Sequence, residues 1–159
     1  MTIVFLYHAA AAAICKDVAA RIQDEQAAIE RANEAFYRAF EARDLEAMGS
    51  IWADREYAGC ILPGQGLVSG WKEIRESLAA LFGGTGKIRF RLGDLHVVQR
   101  GDLAWISVVE NVHHGDDVLI AVQATNLFER GKDGWRMILH HASPVAVQKQ
   151  AEKPVGRLH

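Results

Sequence analysis

The stretch 88–143 constrains the fold most, because it has the pattern of four long β-strands joined by tight turns. Segments rich in Gly and Asp divide it at 100–102, 114–117 and 131–134. Because Gly and Asp tolerate the backbone conformations of hairpin turns, consecutive strands should pair antiparallel. Gly93 interrupts the first strand, and there we expect a β-bulge that bends the sheet.

Both faces of these strands are apolar. In the second strand, apolar side chains occupy one face at Leu103, Trp105 and Val109 and the other face at Ala104, Ile106, Val108 and Val112. A sheet with two apolar faces needs a cover on each of them. We therefore expect helices on one face and either a second subunit or a closed cavity on the other.

Three helices are predicted before the sheet. Apolar residues recur at helical spacing over 17–43, which indicates one long amphipathic helix or two. Asp44 can cap a short helix over 45–52. Ser69 can cap a third helix over 71–82, which ends at two glycines.

A short hairpin is predicted between the second and third helices. A Pro-Gly turn at 63–66 joins an apolar run at 57–62 to a returning strand at 67–68. The order of helix, helix, hairpin, helix and four-stranded meander is typical of an α+β fold.

Composition excludes several classes of function. A chain of 159 residues with a formal net charge of −2 offers no electrostatic reason to bind nucleic acid or an anionic membrane. Two cysteines without a CxxC spacing make neither a disulfide framework nor a zinc knuckle, so we expect reduced thiols.

We divide the chain into an N-terminal helical extension (1–27), one domain (28–144) and a polar C-terminal tail (145–159).

The hydrophobic opening, residues 3–14, resembles the core of a signal peptide but lacks the basic segment that normally precedes such a core. It is also too short to cross a membrane. We expect a cytoplasmic protein, with secretion as the alternative.

Two segments carry a resemblance to a known superfamily. The sequence IWADREYAGCILPGQGLVSGWKEI at 51–74 and the ending GWRMILHHAS at 134–143 resemble the nuclear transport factor 2-like superfamily. Within it, residues 28–144 are most similar to SnoaL-like proteins and to the association domain of calcium/calmodulin-dependent kinase II. The resemblance implies a cone of the cystatin-like type, in which a curved antiparallel sheet wraps around three helices and leaves a pocket. It also implies a homodimer through the outer face of the sheet.

Ketosteroid isomerase shares that fold, but the resemblance does not carry over its catalytic residues. The family's helix tyrosine falls at Phe36, with Tyr37 one residue later, and its aspartate base falls near Cys60. The oxyanion partner falls within 124–126, which holds no carboxylate. Steroid isomerisation needs a base and donors for the developing charge. Because the matching positions do not supply them, we do not expect steroid isomerisation by the family's standard catalytic residues.

The kinase association domain places arginines in its pocket, and the matching positions here are Asn126 and Ala142. A carboxylate-binding pocket of that kind is therefore not expected. What remains is a largely apolar pocket with Asn126 as a polar contact.

Three residues are candidates for catalysis, namely His140, Glu110 and Tyr57. His140 shares the face of Asn126, where it is either a ligand donor or base, or a hydrogen-bonded sheet histidine. Glu110 is either a base with a raised pKa or a residue of an edge or dimer interface. His140 and His141 point to opposite faces, so they cannot share one metal ion, and we expect neither a metal nor a cofactor.

The main hypothesis is a small-molecule-binding domain of unassigned reaction. The alternatives are an isomerase, cyclase or dehydratase with a non-standard acid and base, and a homo-oligomerisation module. The expected partners are a small apolar or amphipathic molecule and a second copy of the chain, without nucleic acid or membrane. The residues expected to contact the ligand are Phe36, Tyr37, Trp52, Tyr57, Cys60, Trp105, Asn126 and His140.

Overall fold

The computed structural model describes residues 2–84, 86–114 and 117–145, with side chains from residue 14 onward. The helices are α1 (Thr2–Ala42), α2 (Leu45–Ile51) and α3 (Trp71–Phe82), and the strands are β1 (Gly59–Ile61), β2 (Val68–Ser69), β3 (Arg89–Arg100), β4 (Leu103–His114), β5 (Asp117–Gly131) and β6 (Gly134–Pro144). The predicted order of elements is confirmed. All of the predicted tail beyond residue 145 lies outside the described residues.

The six strands form one open sheet in the order β2-β1-β6-β5-β4-β3. The four long strands pair antiparallel, as the Gly and Asp turns predicted, whereas β1 joins β6 in parallel. The predicted bulge is confirmed by a register shift between Gly93 and His96. Further shifts follow Val112 in β4 and Leu127 in β5, and such irregularities bend a sheet around the helices it covers.

The helix starts show one correct and one wrong prediction. Asp44 caps α2, because its Oδ1 accepts the backbone N–H groups of Glu46 at 3.0 Å and Ala47 at 2.9 Å. Ser69 does not cap α3; it is the last residue of β2, and Gly70 holds the cap position at φ 84° without a side-chain bond. The chain turns from strand to helix through a left-handed conformation that glycine adopts at least cost.

α1 is a single helix, so its register continues from the predicted N-terminal extension into the domain. No helix in the described part of the chain combines the length and the apolar character needed to cross a bilayer.

The helices cover the inner face of the sheet. Ile106, Val108 and Phe128 on that face are fully buried, together with Ile29 and Phe36 of α1. On the outer face, Leu103 is 51 % exposed and Trp105 is 37 % exposed. The expectation of a helical cover on one face is therefore confirmed, and no element in the described part of the chain covers the outer face. The architecture is the predicted α+β cone.

Candidate functional site

A cavity of about 190 Å³ lies between α1, the loop after β1, the end of α3 and the sheet. Its mouth is formed by exposed residues, Gln65, Leu81 and Ile120, whereas Glu110 and His140 at its inner end are buried. Nine of the twelve lining residues are apolar. The complete lining is Phe36, Phe40, Leu62, Pro63, Gln65, Leu81, Ile88, Phe90, Glu110, Val112, Ile120 and His140.

The polar residues at the inner end come from four elements. Asn126 of β5 pairs in register with His140 of β6 and with Ile106 of β4. Glu110 lies four residues further along β4, on the same face as Ile106 because side chains alternate along a strand. Asn33 and Tyr37 lie one helical turn apart on α1 and point toward them.

These side chains form one buried hydrogen-bond network. Nδ1 of His140 lies 2.7 Å from Oδ1 of Asn126. The Asn126 amide donates to Oδ1 of Asn33 at 2.7 Å and to the Tyr37 hydroxyl at 3.1 Å. That hydroxyl donates to Oε1 of Glu110 at 2.6 Å. The network therefore links the carboxyl group to the imidazole across the inner end of the cavity.

Burial decides the protonation of this network. It raises the pKa of Glu110 to about 7, against a smaller lowering by the hydrogen bond from Tyr37. It lowers the pKa of His140 to about 3, with a lesser contribution from His141, so the imidazole is neutral. Burial, and then the charge of Glu110, raise the pKa of Tyr37 far above its usual value, so the phenol keeps its proton. Of the groups in this network, Glu110 is thus the one whose charge changes near neutral pH.

A larger groove of about 500 Å³ has a mostly basic lining and, unlike the smaller cavity, no buried residue among its lining residues. Arg43 donates to three backbone carbonyl groups, one at the last residue of α3 and two just after it. Arg89 pairs with Glu41 at 3.1 Å. We therefore assign the functional site to the smaller cavity.

The structure brings together several residues that the sequence analysis selected. Phe36 and His140 line the cavity, and their rings lie 4.8 Å apart. Tyr37 and Asn126 lie behind this lining and orient its polar groups. Glu110 lies on the inner face, bonded to Tyr37, and not at an edge of the sheet.

Four other selected residues lie elsewhere. Tyr57 precedes β1, is 63 % exposed, and donates its hydroxyl hydrogen to Glu129. Trp105 points to the outer face because its parity in β4 is opposite to that of Ile106. Trp52 is core, stacked on Trp71 at 6.3 Å. Cys60 is buried beside His140 in register, and burial raises the pKa of its thiol to about 12.

Sequence reasoning missed Asn33, which is fully buried and holds Asn126 in place. The available signal was a polar residue within the apolar stripe of α1, four residues from both Ile29 and Tyr37. Phe40 and Phe90, which line the cavity, carry no signal that separates them from core residues.

The cone with its three helices and open sheet is the architecture of the nuclear transport factor 2-like superfamily. A proposed dehydratase of this kind from Streptomyces avermitilis is 36% identical, with a TM-score of 0.72 over 78% of this chain and 98% of that one. A proposed calcium/calmodulin-dependent protein kinase type II association domain from Thiobacillus denitrificans is 37% identical, with a TM-score of 0.69 over 74% and 94%. A protein with a cystatin-like fold from Novosphingobium aromaticivorans, 20% identical with a TM-score of 0.68 over 84% and 92%, shares the fold.

Residues 29–148 match the family model of the SnoaL-like domain, so the chain belongs to that family. The F-box protein SKIP8 of Arabidopsis thaliana is 28% identical over 124 residues, which are 77% of this chain and 52% of that protein. The chain therefore spans about half the length of this curated relative. Family and fold fit a small-molecule-binding or association module with an unassigned reaction.

Proposed function

We propose that this domain binds a small, mostly apolar molecule in the cavity, with the polar end of the molecule at Glu110 and His140. The observation that supports it is an apolar cavity whose inner end carries two buried polar groups held in place by a hydrogen-bond network. Ligand sites are typically apolar concavities with a few fixed polar groups. A buried carboxyl group is expensive to keep for stability alone, which favours a role in binding.

The size of the cavity limits the ligand. Its volume of about 190 Å³ is below the roughly 300–1,000 Å³ of pockets for drug-sized ligands. A molecule with one ring or a short chain suits this volume. Exposed residues at the mouth leave room for a longer ligand to extend outward.

The test is direct binding with a blocked cavity as comparison. Titration calorimetry with phenol, cyclohexanol and benzyl alcohol should give saturable binding to the unmodified protein. Val112→Phe places a larger side chain into the cavity and should abolish it. Val118→Phe is the matched control, because Val118 is 58 % exposed on β5. Absence of binding to the unmodified protein, or equal binding by Val112→Phe, would contradict the proposal.

A second candidate function is acid–base catalysis, of an isomerase, cyclase or dehydratase type. It is favoured by Glu110, because a carboxyl group whose pKa lies near 7 in an apolar cavity suits proton transfer at neutral pH. In the simplest step, the carboxylate takes a proton from carbon beside a carbonyl group and returns one to the enolate.

Deuterium exchange tests that step without a known product. Small cyclic ketones incubated with the protein in D₂O should gain deuterium beside the carbonyl group, as measured by NMR. Glu110→Gln should reduce the rate of deuterium exchange to the rate in D₂O without protein. Exchange that persists in this variant, or none with the unmodified protein, would argue for binding without catalysis.

We also propose a homodimer through the outer face of the sheet. Trp105 aligns in register with Val98 and Leu127, which makes an apolar row across three strands, and Leu103 adds exposed apolar surface. Trp105→Lys should convert the dimer to a monomer in analytical ultracentrifugation. If both proteins sediment as monomers, or both as dimers, this face is not the interface.

Two further proposals concern the domain limits and the compartment. We propose one unit over 28–144, preceded by the helical extension and followed by the tail, because the family match over 29–148 overlaps that unit. We propose a cytoplasmic location, supported by two cysteines, Cys15 and Cys60, that are both free. Localisation of a fluorescent fusion tests the compartment.

A further inference from the structure

We infer that the cavity prefers a small hydrophobic amine, bound in its ammonium form, over an alcohol or a carboxylic acid of the same size. This inference rests on the proposed ligand-binding function and names the class of ligand. It stands on the charge of the lining, on the hydrogen-bond directions and on the aromatic walls.

The first reason is charge. Glu110 is the only ionisable acid among the described residues that line the cavity, and none of those residues is a Lys or an Arg. Its neighbours in register are Leu92 on β3 and Val122 on β5, and the titratable groups that face it are Tyr37 from α1 and His140 from β6. Both are neutral at physiological pH, so an ionised Glu110 gives the cavity one negative charge. A ligand cation neutralises that charge, whereas a ligand carboxylate adds to it.

The second reason is the direction of the hydrogen bonds when Glu110 is ionised. Tyr37 has one hydroxyl hydrogen, which it donates to Glu110, so it must accept from the Asn126 amide. The second amide hydrogen goes to Asn33. Oδ1 of Asn126 therefore accepts from Nδ1–H of His140, which leaves the lone pair of that imidazole on Nε2.

The ionised cavity consequently offers acceptors and no donor at its inner end. In the described part of the chain, neither Nε2 of His140 nor Oε2 of Glu110 has a hydrogen-bond partner. A single ligand atom that donates to both acceptors needs two hydrogens. An ammonium group has them, whereas a hydroxyl group has one and a carboxylate has none.

The third reason is the wall. The rings of Phe36, Phe40 and Phe90 line the cavity, with Phe40 5.8 Å from Phe36 and 5.3 Å from Phe90. Aromatic rings attract cations within about 6 Å, most strongly where water is excluded. The same rings bury the hydrocarbon part of the ligand.

Three probes of similar size, each with one benzene ring, separate the inference from the proposal on which it rests. Benzylamine, benzyl alcohol and benzoate are titrated into the protein at pH 6 and pH 8, and affinities are measured by calorimetry. Benzylamine should bind most tightly at pH 8, and its affinity should rise about tenfold from pH 6. The reason is that the ionised fraction of Glu110 rises from about one tenth to about nine tenths across a pKa near 7. Benzyl alcohol should show no such rise.

The outcomes are distinct. If benzyl alcohol or benzoate binds more tightly than benzylamine at pH 8, the amine preference is overturned and ligand binding stands. The same holds if the affinity for benzylamine does not rise with pH. Absence of binding by all three probes overturns both proposals.

A variant pair completes the test. Glu110→Gln should lose the preference for benzylamine and its pH dependence while it still binds benzyl alcohol. Glu129→Gln is the control. Glu129 of β5 lies away from the cavity, where its carboxylate pairs with Arg55 at 3.1 Å, so this variant should bind the probes as the unmodified protein does. Retained amine preference in Glu110→Gln would overturn the inference. The pH series on the unmodified protein decides the matter even if that variant fails to fold.

Discussion

Replacing Glu110 with Gln should make stability less sensitive to pH. The folded-state pKa of Glu110 is about 7, against 4.5 for a free glutamate. Between these values the folded protein holds a proton that the unfolded chain has lost, so this group lowers the free energy of unfolding as pH rises. Each pH unit inside that window costs about 1.4 kcal/mol. From pH 5 to pH 8 the loss is therefore about 2.5 kcal/mol, and Gln does not suffer it.

Urea denaturation of both proteins at pH 5 and pH 8 measures this effect. All other titrating groups are common to the two proteins, so the change in their stability difference isolates Glu110. That difference should shift by about 2.5 kcal/mol in favour of Glu110→Gln on going to pH 8. Glu129→Gln is the matched control, because this carboxylate pairs with Arg55 outside the network. A shift of zero, or one in favour of the unmodified protein, would mean that Glu110 ionises readily in the folded state.

Three further predictions concern the network, the core and a turn. Tyr37→Phe removes the bond that lowers the pKa of Glu110, so a carboxyl NMR titration should place that pKa above its value in the unmodified protein; an unchanged value would contradict the observed bond. Phe36→Ala should lower the free energy of unfolding by about 3–5 kcal/mol in urea, because Phe36 is fully buried against three other aromatic rings; a loss below about 1 kcal/mol would show that the site collapses. Gly70→Ala should lower the free energy of unfolding by more than about 1 kcal/mol, because φ of Gly70 is 84° and the added carbon would lie 2.9 Å from a carboxylate oxygen. Gly66→Ala, with open space around it, should leave the stability nearly unchanged. Equal melting temperatures of the two variants would refute this prediction.

Local chemistry made much of the fold predictable. The long strands follow from Gly and Asp turns, and the start of α2 follows from Asp44, because each depends on residues close in sequence. The prediction that Ser69 caps α3 was wrong, also for a local reason. A capping side chain competes there with a turn that requires positive φ, and Gly70 satisfies the turn.

The candidate site was less predictable, because alternation along a strand does not say which face is covered. Trp105 and Ile106 are equally apolar neighbours, yet one lies on the outer face and the other in the core. Glu110 has the parity of Ile106, so its place inside the cone follows only once that face is known to meet α1. Its bond to Tyr37 then joins residues 73 positions apart, a contact that no local pattern reports.

The affinity for an amine and the stability of the free domain should respond oppositely to pH, because both depend on Glu110. At pH 8 the free domain holds an ionised carboxyl group in an apolar cavity, which lowers its stability. The same charge is what a ligand cation neutralises, and a ligand that binds only the folded state raises stability with its concentration. The stabilisation by an amine should therefore be larger at pH 8 than at pH 6. The ionised Glu110 lowers the stability of the free domain at the pH where the amine binds most tightly. Its presence in the cavity is therefore explained by binding and not by folding.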